Sequence, residues 1–171
     1  MIRTERLRLQ PLAVADFSAV LEGDAALEQA LGLRVADRWV EPEHRAAVAS
    51  GAEHLAASPA AAAWWTYVFV HEVDATLIGA GGFKGPPDAG VVEIGYGVAP
   101  AYRGQGLAFE AAEGLLRFAL AHPGSETVQA HTLPEANAST RILQRLGMTH
   151  VQTLVDPDDG PVWRWSRSAR A

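Results

Sequence analysis

The 171-residue sequence contains no cysteine. Disulfide bonds, thiolate nucleophiles and cysteine-based zinc sites are therefore excluded. The sequence also lacks an apolar run of the roughly 20 residues that a membrane-spanning helix needs, and its opening, MIRTERLRLQ, lacks the apolar core of a signal peptide. These absences favour a cytoplasmic protein with no membrane partner.

Positive charge is scarce as well. The 14 Lys and Arg residues are outnumbered by 20 Asp and Glu residues, which gives a formal net charge of −6. Because nucleic-acid binding needs a clustered excess of Lys and Arg, no nucleic-acid partner is expected. The six histidines show neither HxH nor HxxxH spacing, and no metal site is predicted.

Hydrophobic periodicity predicts both strands and helices. Leu7 and Leu9 alternate with polar residues as in a half-buried strand, whereas apolar residues within 14–21 recur at helical spacing. Two or three helical pieces are predicted within 24–63, one of them from Pro42 onward. Six further strands are predicted at 62–72, 76–83, 91–98, 127–133, 149–155 and 161–166, and two amphipathic helices at 104–121 and 136–147.

This order of elements predicts an α/β protein of the α+β type. The central sheet is expected to be mixed and mostly antiparallel, with six to seven strands and with helices on both faces. The chain is about the size of one ordinary domain, and we expect residues 1–171 to form a single one.

A glycine-bearing loop, 103–108, joins a predicted strand to a predicted helix. Gly104 and Gly106 allow a ligand to approach the backbone closely, and the unpaired N–H groups of a helix start attract anions such as phosphate or pyrophosphate. The loop has neither the Lys-Ser or Lys-Thr pair of the P-loop nor the third glycine of the dinucleotide fingerprint. On its residues alone, it fits an anion site and a plain helix start equally well.

Longer motifs around this loop resemble the acyl-CoA-binding core of the GNAT superfamily of N-acetyltransferases. The stretch EIGYGVAPAYRGQGLA contains that superfamily's Arg/Gln-x-x-Gly-x-Gly/Ala pattern as RGQGLA, preceded by Tyr102, and LPEANASTRILQRLGM resembles its last helix. The opening IRTERLRLQPL is similar to the first strand of the branch that acetylates the N-termini of ribosomal proteins. The resemblance covers the chain from about Trp64 to Trp165, and it implies one GNAT-type domain that uses acetyl-CoA as cosubstrate.

The resemblance also implies roles for particular positions. One set would bind the CoA pyrophosphate through backbone N–H groups, namely Arg103, Gly104, Gln105, Gly106, Leu107 and Ala108. A second set would line the pantetheine arm along a strand that splays from its neighbour, namely Ile94, Tyr96 and Val98. Asn137 would lie beside the pantetheine and Ser139 near the thiol end, so that Ser139 would both bind the cosubstrate and take part in catalysis.

Glu93 is the one acid within an apolar predicted strand. Strand alternation gives it a face in common with Gly95 and Gly97, whose missing side chains leave space for a ligand. By position alone, a solvated or ion-paired surface glutamate explains it as well. The GNAT resemblance implies instead that Glu93 takes the proton of an acceptor ammonium, directly or through a water. His131 is a second candidate base, although a lone strand histidine is more often a packing residue.

The proton donor to the leaving thiolate stays open between several groups. Many relatives carry a tyrosine in the last helix, but Ile142 and Leu143 occupy that region here. A thiol leaves readily enough near neutral pH for no strong acid to be required. The alternatives are a water, Ser139, Tyr96 and Tyr102.

The acceptor is expected to be a primary amine, with a protein or peptide N-terminus as the leading interpretation. A small amine, such as an amino acid, a polyamine or an aminoglycoside, is the alternative within the same chemistry. A catalytically silent acyl-CoA-binding module and a nucleotide-binding domain are alternatives from other classes. By the resemblance, residues 24–63 would help to form the acceptor pocket. A monomer and a homodimer fit the sequence equally well.

Overall fold

A nine-stranded sheet dominates the part of the chain that the computed structural model describes, residues 1–40, 45–157 and 160–169. The strands are β1 (Ile2–Arg3), β2 (Leu7–Pro11), β3 (Arg34–Val35), β4 (Thr66–His71), β5 (Thr76–Phe83), β6 (Val91–Val98), β7 (Thr127–Thr132), β8 (Thr149–Asp156) and β9 (Gly160–Ser168). Eight of them follow the order β1-β2-β4-β5-β6-β7-β9-β8, and β3 pairs with β5 beside this path.

Most neighbouring strands are antiparallel. Among the described strands, β3 with β5 and β6 with β7 are the parallel pairs. The predicted α/β class and mostly antiparallel sheet are confirmed, with more strands than the six to seven expected. The two additional strands, β1 and β3, have two residues each, which is too short to produce a hydrophobic period in the sequence.

Five α-helices lie within the described residues: α1 (Asp16–Glu22), α2 (Asp24–Leu31), α3 (Arg45–Ala57), α4 (Leu107–Ala121) and α5 (Ala138–Arg145). Short 3₁₀ segments cover Pro59–Trp64 and Pro100–Tyr102. Two helical pieces, α2 and α3, therefore fall within 24–63, and the first 3₁₀ segment overlaps the end of that range. Pro42 itself lies outside the described residues. None of the helices in the described ranges is long and apolar enough to cross a membrane.

The two helices of the C-terminal half form for reasons that are visible in the sequence. In α4, Leu107, Ala111 and Leu115 are four residues apart, so they share one face, and all three are buried. The helix α5 begins with a capping box. Asn137 Oδ1 accepts a hydrogen bond from the Thr140 N–H at 3.0 Å, and Thr140 Oγ1 accepts one from the Asn137 N–H at 2.9 Å.

Two hydrophobic clusters cover the two faces of the sheet. One packs α4 and α5 against strands that include Phe69 and Ile94, and the other packs α1, α2 and α3 against Val68 and Leu77. Because Val68 and Phe69 are neighbours in β4, their side chains point to opposite faces, and the predicted helices on both faces are confirmed. The second cluster includes no described residue from β6 to β9. The face of β6 turned away from α4 is therefore not covered by this second cluster.

Candidate active site

The strands β6 and β7 separate part-way along their length. They pair in parallel over 91–93 and 127–129, with Glu93 opposite Gln129 in the last pair. Beyond it, β6 continues to Val98 and β7 to Thr132, and no further pairing joins them in the described chain. A gap therefore opens between two neighbouring strands of the sheet, immediately after Glu93.

Backbone groups of β6 point into this gap. The Lys84 N–H donates to the Glu93 carbonyl at 3.1 Å, and the Ala99 N–H donates to the Ile78 carbonyl at 2.7 Å, so the odd-numbered residues bond to β5. Along a strand, the backbone N–H and C=O groups of successive residues point in alternate directions. The even-numbered residues therefore direct their N–H groups toward β7 and the gap, and these residues are Ile94, Tyr96 and Val98.

The loop that follows β6 presents the start of α4. Gly104 and Gly106 have φ values of +75° and +80°, in the left-handed region that favours glycine. The first bond of α4 runs from the Glu110 N–H to the Gly106 carbonyl at 3.0 Å, so the N–H groups of the first turn have no acceptor within the helix. Gly106, at the N-cap, has no side chain that could cap them. The helix dipole adds positive potential, and the loop favours an anion.

Arg103 fastens this loop to β6. Its Nε donates to the Val98 carbonyl at 3.3 Å, and its backbone N–H donates to the Pro100 carbonyl at 3.2 Å. The Arg103 N–H, expected to bind pyrophosphate, thus already has an acceptor in the structure. The N–H groups of residues 104–106 donate to no backbone carbonyl within the described chain.

The face of β6 that carries Glu93 is open. A methyl group added to Gly95 or Gly97 would meet no heavy atom within 4 Å. Gly82 stands opposite Gly95 in the ladder, so β5 adds no side chain at that point. The result is a groove with a floor of backbone and with Glu93 at one end, as strand alternation predicts for this acid.

Two side chains converge on the Glu93 carboxylate. The Lys84 Nζ lies 2.5 Å from Glu93 Oε1, and the Nδ1 of His131, in β7, lies 3.0 Å from the same oxygen. The His131 contact has the distance of an ion pair without the geometry of a hydrogen bond, and both ring nitrogens are buried without a hydrogen-bond partner in the described chain. The Glu93 side chain is 21% exposed, so this acid is not sealed in the core.

The sequence of this chain also matches a known protein family. The family model described as the acetyltransferase (GNAT) domain matches residues 6–149, most of the chain. The chain belongs to the GNAT acetyltransferase family. It is an acyltransferase, and acetyl-CoA is the cosubstrate that enzymes of this family use.

Individual relatives agree with the family assignment. The chain is 26% identical to YjdG, an uncharacterized N-acetyltransferase of Bacillus subtilis, over 86% of this chain and 88% of that protein. Its fold is similar to a ribosomal L7/L12 alpha-N-protein acetyltransferase, RimL, solved with coenzyme A, at TM-score 0.66 and 16% identity over 96% and 95% of the two chains. It is similar also to a chimera of the spermidine N-acetyltransferase SpeG from Vibrio cholerae and hSSAT, at TM-score 0.67 and 16% identity over 96% of each chain.

A buried acid ties the N-terminal segment of this GNAT domain to the glycine loop. Glu110, in the first turn of α4, accepts hydrogen bonds from Thr4 Oγ1 at 2.6 Å, from the Arg6 N–H at 2.6 Å and from Arg6 Nε at 2.7 Å. Arg6 Nη1 also donates to the Gln105 carbonyl at 3.0 Å. The segment between β1 and β2 therefore helps to fix the position of the loop.

This arrangement keeps Glu110 ionised. Burial by itself would raise the pKa of the carboxyl, but hydrogen bonds from Thr4 and Arg6, together with the Arg6 charge, outweigh burial and lower the pKa below its ordinary value. Thr4, Arg6 and Glu110 are not among the site residues predicted from the sequence. The available signal is an acid on the apolar face of a helix, between the buried Leu107 and Ala111.

The other predicted positions lie at the start of α5. Asn137 and Ser139 are both half-buried there, and α5 packs against β7 on the far side of the gap. The Asn137 Oδ1 is occupied by the capping bond from Thr140. The side-chain amide donors of Asn137 make no hydrogen bond within the described chain.

The two tyrosines named as possible acids have different surroundings. The Tyr102 hydroxyl donates to Asp74 Oδ2 at 3.2 Å. The Tyr96 hydroxyl is buried and has no hydrogen-bond partner among the described residues, and burial raises the pKa of Tyr96 above its ordinary value. At neutral pH, Tyr96 is therefore a protonated group on the strand that borders the gap.

Proposed function

We propose that this protein transfers the acetyl group of acetyl-CoA to a primary amine, with a protein or peptide N-terminus as the acceptor. One observation carries the proposal: β6 and β7 part directly after Glu93. Strand N–H groups, a helix start and an acid all adjoin this gap or the strand that borders it, which supports a single path for acetyl-CoA and the amine. We retain the expectation that the reaction takes place in the cytoplasm.

The residues along this path fit acetyl-CoA, which supplies an acetyl group activated as a thioester. The N–H groups of residues 104–108 suit the pyrophosphate, because a helix start attracts anions. The N–H groups of Ile94, Tyr96 and Val98 suit the amides of the pantetheine arm, which would add to β6 as an extended strand does. Asn137 and Ser139 would face the same arm from the start of α5.

Glu93 is proposed to remove the proton from the acceptor ammonium. A primary amine attacks a thioester only in its neutral form, so a carboxylate at the entrance to the gap gives that proton a destination. The groove above Gly95 and Gly97 gives the amine access to Glu93. His131, beside the same carboxylate oxygen on the buried side, is the second group that could hold this proton.

Ser139, Tyr96, Tyr102 and a water are the candidate proton donors to the leaving thiolate. We favour Ser139, with Tyr96 as the first alternative, because the Tyr96 hydroxyl is protonated and has no partner in the described chain. Backbone N–H groups of β6 would hold the thioester oxygen as negative charge develops on it. These roles need no metal ion.

A peptide N-terminus suits the groove better than a compact amine does. The floor consists of backbone rather than side chains at Gly95, Gly97 and Gly82, which allows an extended chain to approach closely. The similarity of fold to RimL supports the same choice. A polyamine is the second candidate, because the similarity to the SpeG chimera and the net charge of −6 favour a cationic acceptor.

The test is release of CoA thiol from acetyl-CoA with a panel of acceptors. The panel contains peptides with free N-termini, the same peptides with formylated N-termini, polyamines, amino acids and aminoglycosides. We expect release with free peptides and none with the formylated ones. Release with polyamines alone would show that the acceptor is a polyamine rather than a peptide N-terminus. No release with any amine would contradict the proposed activity.

A further inference from the structure

The composition of the cationic residues is unusual. The chain contains thirteen arginines and a single lysine, Lys84. Arginine is fully charged at every relevant pH, and it is not a nucleophile in its charged form, whereas lysine becomes a nucleophile when it loses its proton. The side chains of this protein therefore include one amine that can accept an acyl group.

That one amine lies at the proposed catalytic acid. Lys84 follows β5, and its backbone N–H bonds to the Glu93 carbonyl at 3.1 Å, which places the two residues opposite each other across the ladder. The Lys84 Nζ lies 2.5 Å from Glu93 Oε1. An acceptor ammonium that delivers its proton to Glu93 would need the same position beside the carboxylate.

Exposure of the two side chains is consistent with chemistry at this pair. The Lys84 side chain is 62% exposed, so the amine can move relative to Glu93 without unpacking the core. The carboxylate, at 21% exposure, is held more firmly, with His131 on its other side. Glu93 also ends the paired part of β6 and β7, so the Lys84 amine lies beside the residue after which the gap opens.

We propose that Lys84 is a self-acetylation site of this protein. The ammonium of Lys84 gives a proton to Glu93, the neutral Nζ attacks the thioester carbonyl of acetyl-CoA, a C–N bond forms and the C–S bond breaks. CoA leaves as the thiolate and takes up the proton that the attacking nitrogen loses as the amide forms, and Lys84 becomes Nε-acetyl-lysine. The proposal rests on the acetyl-CoA-dependent chemistry of the preceding section.

Acetylation would change the site itself. An acetylated Lys84 is neutral, so its ion pair with Glu93 is lost. Glu93 is then left with His131 as its neighbour and with no attached cation competing with an incoming ammonium. Self-acetylation would therefore convert a carboxylate occupied by the chain's own amine into one accessible to an external amine.

The experiment uses the full chain and isotope-labelled acetyl-CoA with no added acceptor. Tryptic mapping gives a direct readout, because trypsin cuts after Lys84 only if that side chain is unmodified. Acetylation joins the fragments 46–84 and 85–103 into a single fragment 46–103 that carries one label. We expect this joined fragment to appear with a rate constant independent of protein concentration, as for a reaction within one chain.

Three controls separate a catalysed reaction from chemical acetylation. The urea-unfolded chain and Glu93→Gln should acetylate Lys84 about 100-fold more slowly, the scale of general base catalysis. Lys84→Arg keeps a cation beside Glu93 and should show no label at position 84. Circular dichroism establishes that Glu93→Gln is folded, and the unfolded wild-type chain serves as the comparison if it is not.

Three outcomes would overturn the proposal. The acetyl label could appear on the α-amino group alone, or Lys84 could be acetylated at equal rates in the folded and unfolded chains. The rate constant of Lys84 acetylation could also rise with protein concentration. Failure of self-acetylation is distinguishable from failure of the proposed function by the peptide panel: turnover of external amines with an unlabelled Lys84 rejects only this inference. No turnover and no label reject both.

Discussion

Glu93 and Gln129 form the last residue pair that joins β6 to β7, and the sheet divides directly beyond them. Glu93 is therefore located where the hydrogen bonding between β6 and β7 ends, rather than in the middle of a paired strand. On one side of that point the backbone groups of β6 and β7 bond to each other, and on the other side those of β6 face the gap.

Glu93→Gln removes the proposed base while it preserves the shape of the side chain. We expect kcat/KM for the amine to fall by about 100-fold or more, since a general base contributes on this scale. The loss should be largest near neutral pH and smaller at high pH, where the free amine is already neutral. Glu72→Gln is the matched control, because Glu72 is also ion-paired, to Arg3, but lies outside the groove. Equal activity of both variants across pH would reject the role of Glu93.

Gly104→Ala tests whether the glycine loop binds acetyl-CoA. Gly160→Ala is the control, because it should carry the same conformational penalty away from the loop. Gly104 and Gly160 have φ values of +75° and +73°, and neither has a heavy atom within 4 Å of an added methyl group. Each substitution should lower the free energy of unfolding by about 1–2 kcal/mol, the penalty for a left-handed alanine. Only Gly104→Ala should raise KM for acetyl-CoA, by about ten-fold for each 1.4 kcal/mol of lost binding. The same KM increase in both variants would argue against a cosubstrate contact at the loop.

Asn137→Asp separates capping from binding. Aspartate caps a helix about as well as asparagine, so the unfolding free energy should change by less than about 0.5 kcal/mol. The substitution removes the amide donors, and we expect a higher KM for acetyl-CoA if they bond to the pantetheine. Thr140→Ala is the converse variant. It loses the N3 half of the capping box, at a cost of about 1 kcal/mol for one hydrogen bond, and should leave KM unchanged.

Tyr96→Phe and Ser139→Ala compare the two candidate proton donors. The Tyr96 hydroxyl is buried without a partner in the described chain, so its removal should leave stability unchanged or raise it. A fall in kcat for Tyr96→Phe therefore cannot be attributed to a damaged fold. A lower kcat in one variant with a normal value in the other identifies the donor. Normal kcat in both variants assigns the proton to water.

Glu110→Gln should destabilise the protein in a pH-dependent manner. Because folding lowers the pKa of this carboxyl, its contribution to stability is fully present above the unfolded-state pKa, about 4.3 for glutamate. The contribution declines as the pH falls through the lower pKa of the folded state. We expect a loss of about 2 kcal/mol at pH 7, the scale of a charged hydrogen-bond network, and a smaller difference from wild type at pH 3. Urea unfolding at both pH values measures it, and an equal difference at both would contradict the assignment.

The sequence predicts those features that depend on local pattern. Alternation at Leu7 and Leu9 and the four-residue spacing of Leu107, Ala111 and Leu115 define elements that the structure contains. The position of Glu93 on a face with Gly95 also follows from alternation alone.

Contacts between distant segments could not be read in this way. Arg6 and Glu110 are 104 residues apart, and their hydrogen bonds depend on how β2 and α4 pack rather than on any local period. The proximity of Lys84 and His131 to one oxygen of Glu93 likewise arises from pairing across three strands. The separation of β6 from β7 was predicted only through the resemblance to the GNAT superfamily, because no spacing of residues specifies where two strands stop pairing.

The link from Arg6 to Glu110 and to the Gln105 carbonyl has a thermodynamic consequence for the opening segment of the chain. A ligand that orders the glycine loop also favours the bound form of Arg6, and by reciprocity an ordered opening segment favours the ligand. Saturating acetyl-CoA should therefore slow amide hydrogen exchange in β1 and β2. Truncation before Leu7 should weaken acetyl-CoA binding, although no residue of that segment belongs to the proposed path of the cosubstrate.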